Sequence, residues 1–360
     1  MSFDPKKPYN ELPLLPPKID IETPAVLKKA ISANRKLAEL KGSVNLIPNQ
    51  QILINTLILN EAKDSSEIEN IITTQDELYK AFSAEGKITD PATKEVMRYR
   101  EALQSGYDEL NKREVLSINT ILKAHEILIG HKSGIRKGPG TVLQNEKTKE
   151  IIYKPPDRFD VLINKLNNIE QYLNSVNGVD PLIKLAVLHY QFEAIHPFSD
   201  GNGRIGRILN ILYLIHEKLL DLPVLYLSSY IIRNKSQYYQ LLLNVTKQNE
   251  WEKWILYMLD AVETTSSDTI EKVNKIKELL SETIDEIKEK LPKIYSKELA
   301  EVLFYQPYCK IKYLQEKGIA HRQTASEYLK ALENIGILES RRVGREVLYL
   351  NKKLFGLWGN

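Results

Sequence analysis

Twelve consecutive residues, His196-Pro197-Phe198-Ser199-Asp200-Gly201-Asn202-Gly203-Arg204-Ile205-Gly206-Arg207, gather a base, a carboxylate, glycines and a pair of arginines. Few structural needs explain that mixture. Proline at 197 biases His196 away from helical geometry, so a helix must end there and leave the imidazole at a helix-to-loop corner. Phe198 can bury itself and anchor the loop that follows. Gly201 and Gly203 let backbone N–H groups turn toward an anion, and a helix beginning there points its positive end at the same spot, which makes a phosphate cradle. Arg204 and Arg207 are three apart, hence on one helix face, and their guanidinium forks suit a string of phosphates. Asp200 remains as a hard oxygen ligand for Mg²⁺ between those phosphates.

The stretch is not a Walker A loop, since no G-x-x-x-x-G-K-[ST] occurs. Nor is it the G-x-G-x-x-G of a strand-to-helix turn, because helical spacing precedes it. It resembles the H-P-F-x-[DE]-G-N-G-R-x-x-R signature of the Fic family, matched at every defined position. The resemblance implies a protein adenylyltransferase, which moves AMP from ATP to a Tyr, Ser or Thr hydroxyl of a target protein or of itself and releases pyrophosphate. It implies His196 as general base for the incoming hydroxyl. An imidazole with an ordinary pKa near ~6.5 suits that task at neutral pH, where Lys or Tyr would stay protonated. It implies Asp200 as the Mg²⁺ ligand and Arg204 and Arg207 as the grip on the β- and γ-phosphates. The backbone of Gly201 to Gly203 and the Asn202 side chain would stabilise charge on the α-phosphate, and Ile205 and Gly206 complete the nucleotide-binding set. Replacing His196 by Ala is expected to abolish transfer and leave ATP binding.

The resemblance extends to both sides. Gly138, Pro139 and Gly140 precede two β-prone runs, Thr141-Val142-Leu143 and Ile151-Ile152-Tyr153, separated by a polar stretch and closed by Pro155-Pro156. That pattern predicts a hairpin. It corresponds to the family's flap at 141–153, which pairs with the target protein's backbone as an added strand. Tyr238 and Tyr239 resemble the paired tyrosines that border the nucleotide base in several members. Thr246 stands where some relatives carry asparagine, a departure at the adenine contacts.

Ser65-Ser66-Glu67-Ile68-Glu69-Asn70 fits the family's inhibitory pattern [ST]-x-x-x-E-[GN]. The resemblance implies that Glu69 pairs with Arg207 and competes with a phosphate oxygen for the same guanidinium fork. Because this motif precedes the signature, it is the arrangement with an N-terminal inhibitory helix. A solvated helix face is the bland alternative.

The elements that must position these residues are mostly helices. Glycine and proline are sparse, at 16 each, and the segments between them show i, i+3, i+4 apolar spacing. An extended arm with Pro13, Pro16, Pro17 and Pro24 leads into a helix near residue 25, followed by helices over 49–59, 61–72, 74–82 and 90–107. Asp180 and Pro181 start the helix that runs to the signature. The helix after the signature is apolar nearly all round, so it should lie at the centre of the core. A long amphipathic helix over 270–291 bridges to a separate unit. There a helix-turn-helix ending in the helix from Arg322 to Ile335 is followed by two short strands, Ile337-Leu338 and Val347-Leu348-Tyr349, around a basic tip, Arg341-Arg342-Val343-Gly344-Arg345. The expected fold class is mainly α: a Fic-type helical domain with a short β-hairpin flap, plus a C-terminal winged helix-turn-helix domain. The expected divisions are an N-terminal helical region at 1–110, a catalytic core at 111–262, a linker helix at 263–292 and the winged unit at 293–360.

The whole chain, 360 residues with 50 basic against 47 acidic, is too nearly neutral to argue for nucleic acid. The winged unit carries a local surplus, 12 Lys and Arg against 7 Asp and Glu. DNA binding there stands beside dimerisation or partner docking as an open role. One cysteine, Cys309, excludes an intramolecular disulfide. A cytoplasmic setting, a homodimer and no membrane partner are expected, with no export signal or membrane span in view. The competing functions are a nucleotide-sensing DNA-binding regulator and removal of AMP by the same site. A metal hydrolase through His125, Glu126 and His131 lacks the H-E-x-x-H spacing.

Overall fold

Side-chain caps start the helices where the residue types predict. Thr23, Asp90, Ser117 and Asp180 accept hydrogen bonds from the N–H groups of Val26, Thr93, Thr120 and Leu182, and proline follows Thr23, Asp90 and Asp180. The computed structural model describes residues 3–47, 49–83, 90–138, 141–144, 149–344 and 346–358. Pro139, Gly140, residues 145–148, where the tip of the hairpin was expected, and Arg345 lie outside the described residues.

The helices begin with α1 (Pro24–Val44), α2 (Gln51–Ile68), α3 (Gln75–Ser83), α4 (Pro91–Arg113) and α5 (Ile118–Ile129). Strands β1 (Leu143–Gln144) and β2 (Ile151–Tyr153) follow, antiparallel, with Leu143 opposite Tyr153. Next come α6 (Phe159–Leu173), α7 (Pro181–Ile195), α8 (Asn202–His216), α9 (Ser228–Arg233), α10 (Lys235–Gln248) and α11 (Trp251–Lys290). The C-terminal unit has α12 (Lys297–Val302), β3 (Tyr308–Cys309), α13 (Ile311–Glu316), α14 (Arg322–Asn334), β4 (Glu339–Val343), β5 (Glu346–Leu350) and α15 (Lys352–Gly356). Its antiparallel sheet has the order β3-β5-β4. The fold is mainly helical with a small hairpin, as expected. Both α7 and α8 are buried on nearly every side, so the loop between them issues from the centre of the core.

Several elements differ from expectation. The segments expected at 49–59 and 61–72 merge into the single helix α2, which ends at Ile68 and leaves 69–72 outside it, because the polar pair that breaks the apolar pattern is buried and partnered. Gln75 donates to Asn60 at 2.5 Å, while Tyr99 and Ser228 donate to Glu61 at 2.9 and 2.5 Å. The long helix starts at Trp251, not near 270, and runs through the boundary placed at 262, since no residue in 251–270 interrupts it. In the hairpin, pairing begins at Leu143, leaving Thr141 and Val142 outside the strand. Ile337 and Leu338 are not strand: with Gly336 left-handed at φ 84°, their N–H groups return to the Leu332 carbonyl and finish α14. Arg341 and Arg342, expected at a tip, are therefore strand residues of β4.

The N-terminal arm straps α6 and α7. Lys165 donates to the Leu12 carbonyl, and Gln191 donates to the Pro13 carbonyl at 2.8 Å. The C-terminal unit packs on α2 and α3. Asn49 donates to the Tyr305 hydroxyl at 2.9 Å, Asn55 to the Tyr305 carbonyl at 3.2 Å, and Tyr308 to Asp76 at 2.6 Å. Tyr79 meets Phe355 edge to face with centroids 6.1 Å apart.

Candidate active site

Helix α7 stops at His196, whose backbone turns left-handed (φ 50°, ψ 60°) while its N–H still bonds the Phe192 carbonyl at 3.0 Å. Phe198 buries its ring and stacks on the His125 imidazole, centroids 3.7 Å apart and planes within 9°. The Nε2–H of His125 donates to the Asp200 carbonyl at 3.0 Å. Asn202 closes the loop from the other end, donating to the Phe198 carbonyl and accepting from the Phe198 N–H, both at 2.8 Å. Gly201, at φ 78°, makes the left-handed turn into α8 that a side chain would strain. The loop is thus pinned by His125 and Asn202 and leads directly into the N-terminus of α8.

The carboxylate of Asp200 is largely exposed at the mouth of this loop, accepting from the Gly201 N–H at 2.6 Å. Arg204 and Arg207 are both 2% exposed. Arg204 pairs with Glu95 of α4 and lies 3.6 Å from Asp200. Arg207 donates through Nε to the Ser65 hydroxyl at 2.7 Å and through Nη2 to the Ser65 carbonyl at 2.8 Å and to Glu69 Oε1 at 2.9 Å. Glu69 caps the end of α2 and lies over Gly203, where a Cβ would collide with its Oε1. The structure therefore brings the Ser65–Glu69 motif and the signature together.

Electrostatics follow burial and charge. Burial pushes the His196 imidazole down to about 4, and Arg136 adds to the push, while the Glu193 backbone, Glu69 and Asp200 oppose it. Its Nδ1 is fully buried, so a hydroxyl can meet the ring only at Nε2. Burial alone would raise the Glu69 carboxyl, but Arg207, with Arg204 and His196 behind it, holds it below the usual range. Glu193, one turn before His196, has a buried Oε1 with no hydrogen-bond partner among the described residues. Burial pushes its carboxyl up to about 7; Arg207 opposes the rise and Glu69 adds to it.

Some sequence-predicted residues do other work. Both ends of the Asn202 amide bond the Phe198 backbone, so this side chain shapes the loop. Ile205 is buried in the core, and Gly206 sits where a Cβ would strike Glu193 and meet Phe192 at 3.2 Å. Tyr238 is 1% exposed, accepts a hydrogen bond from His189 at 2.8 Å and packs among Trp254 and Tyr257. It offers a base no surface, whereas Tyr239, set edge-on to it at 5.1 Å, is 45% exposed. Thr246 bonds the Tyr190 hydroxyl at 2.9 Å. The roles of His125, Glu95, Glu193 and Arg136 in this site are not readable from the sequence. Only His125 carries a signal there, as a histidine on the apolar face of a helix.

Comparison with known proteins agrees with this geometry. The Fic/DOC family N-terminal profile matches residues 27–108, the Fic/DOC family profile 115–214, and a profile described as protein adenylyltransferase SoFic-like, C-terminal domain, 279–354. A probable protein adenylyltransferase of Aquifex aeolicus is 28% identical over 193 residues, covering 51% of this chain and 54% of its own. A protein adenylyltransferase Fic of Aedes aegypti is 28% identical over 162 residues, 43% of this chain and 30% of its own. The chain thus spans about half the length, or less, of these curated relatives. A Fic family protein from Desulfovibrio desulfuricans shares the fold with a TM-score of 0.58 at 21% identity, covering 93% of this chain and 98% of that one. With the family's N-terminal and central profiles following one another over 27–108 and 115–214, and the SoFic-like C-terminal profile after them, the chain belongs to the Fic/DOC family.

Proposed function

We propose that this protein transfers AMP from ATP to a hydroxyl of a target protein or of itself, and that Glu69 holds it inactive. The observation that carries the reading is the pinned loop between α7 and α8, with His196 at one end and a buried arginine pair at the other. The hydroxyl oxygen attacks the α-phosphorus as its proton passes to His196 Nε2. The bond from that phosphorus to the bridging oxygen breaks, and pyrophosphate leaves. Backbone N–H groups of Gly201 to Gly203, at the positive end of α8, meet the charge growing on the α-phosphate. Arg204 and Arg207 bind the β- and γ-phosphates once Glu95 and Glu69 yield them.

Asp200, an exposed carboxylate at the mouth of the cradle, fits a metal that takes its other ligands from phosphates and water. Mg²⁺ bound there would neutralise charge on the phosphates; the rest of the site is the chain's own. The hairpin at 141–153 is where an extended target segment adds as a strand. Support for the brake is that Glu69 occupies the Arg207 fork a γ-phosphate would need.

Intact mass spectrometry after incubation with ATP and Mg²⁺ tests both parts. Glu69→Gly gains the mass of AMP, wild type gains far less, and Glu69→Gly/His196→Ala gains none. A mass gain independent of His196 overturns the mechanism, and equal gain with and without Glu69 overturns the brake.

A further inference from the structure

Arg136 lies outside the signature, in the segment between α5 and the hairpin, yet it binds the backbone around the histidine more closely than any signature residue. Its N–H donates to the Pro197 carbonyl at 3.0 Å. Its Nε donates to the His196 carbonyl at 2.8 Å, and Nη2 to the Ile195 carbonyl at 3.2 Å and to the Pro156 carbonyl. The fork thus takes up carbonyls that the end of α7 leaves without helical partners, at the pole where a cation is favoured. A left-handed backbone is sterically unfavourable for a non-glycine residue, so it persists only where the surroundings fix it. At His196 the N–H is held by the Phe192 carbonyl and the carbonyl by Arg136.

The same side chain reaches the base of the hairpin. Pro156 follows β2 by three residues, and Tyr153 of β2 donates to the Ala194 carbonyl at 2.8 Å. Hairpin and histidine are joined through these two links. Charge acts in the same direction: Arg136 is among the groups that keep the His196 imidazole unprotonated, against Glu69, Asp200 and the backbone of Glu193. Burial lowers the Arg136 guanidinium from its ordinary value, and the Asp157 carboxylate opposes that fall.

We propose that Arg136 is a positioning residue for the transfer: it locks the left-handed backbone of His196 and ties it to the hairpin base, so that the imidazole and a strand added to the hairpin share one frame. The inference rests on the function proposed above.

Its test uses the full chain in the Glu69→Gly background, with AMP incorporation followed at varied ATP concentration. Arg136→Gln is expected to lower kcat by about tenfold or more while KM for ATP moves by less than about twofold, because the phosphate site is untouched. Arg136→Lys, which keeps the charge and a donor nitrogen but not the planar fork, is expected to recover part of the loss. Unchanged kcat, or a loss confined to KM, overturns the proposal. A second readout does not need activity: in ¹³C-histidine-labelled protein, with His196→Gln for assignment, Arg136→Gln shifts the His196 resonance and moves its titration midpoint upward, while the other histidines hold. An unmoved His196 signal overturns the proposal. If Glu69→Gly itself transfers no AMP, the functional reading fails and the resonance still decides the role of Arg136.

Discussion

At the scale of single residues, the histidine has the sharpest consequences. With the imidazole held down to about 4, its base form prevails at every pH near neutrality. The Glu69→Gly variant should therefore transfer AMP at a level rate between about pH 5.5 and 8, and fall off only below about 5 as Nε2 takes a proton. Initial rates across a buffer series check this; an inflection near ~6.5 would mean an exposed, ordinary imidazole. Asn202→Ala should lower thermal stability by about 1–2 kcal/mol through loss of two buried hydrogen bonds, and slow transfer through a loosened loop. Calorimetry and the mass assay read the two effects separately. The signature was legible because its members are neighbours in the chain, and the motif ending at Glu69 because its spacing is one helical turn. Arg136 and Glu95 were not legible: the first acts on backbone carbonyls and the second on a side chain far along the sequence, and such contacts leave no pattern of residue types.

At the scale of elements, α2 illustrates what periodicity misses. Asn60 and Glu61 interrupt its apolar stripe, yet they are buried and bonded to α3, α4 and the start of α9. Hydropathy cannot tell a buried partnered carboxyl from a solvated one. Burial pushes Glu61 up to about 7, against the hydrogen bonds from Ser228 and Tyr99 and the charge of Arg207. Near pH 6 the folded chain then keeps a proton here that the unfolded chain has released, so stability falls as pH rises through this range. The slope reaches on the order of 1 kcal/mol per pH unit for one such group, and Glu193 behaves alike. Thermal unfolding of wild type against Glu193→Gln between about pH 5 and 8 should show a shallower decline in the variant. Equal slopes would mean that Glu193 is ionised throughout. The Glu69–Arg207 pair has the opposite sign. Its carboxyl lies below the usual range, so its contribution is intact at neutral pH and is lost only in acid.

At the scale of the whole molecule, the C-terminal unit was legible in outline and not in placement. Helix and strand periods showed its elements, but nothing local says that Tyr305, Tyr308 and Phe355 face α2 and α3. Arg341, read from sequence as part of a basic tip, donates to the Tyr308 hydroxyl at 3.2 Å and pairs with Glu339. It is engaged within the chain and contributes little free charge for a phosphate backbone. Tyr308→Phe removes a hydroxyl shared by Asp76 and Arg341 and should lower thermal stability by about 1 kcal/mol. An unchanged melting temperature would show these contacts to be dispensable.

Residue 69 lies between two segments that both rest on the C-terminal unit: Asn49 and Asn55 before it, Asp76 and Tyr79 after it. A fragment trimmed before residue 293 would lose the outer partners of all four while keeping every signature residue. Its basal labelling is no baseline for the intact chain, because shortening the protein and loosening Glu69 would arrive together. Point substitutions in the full chain keep those two changes apart.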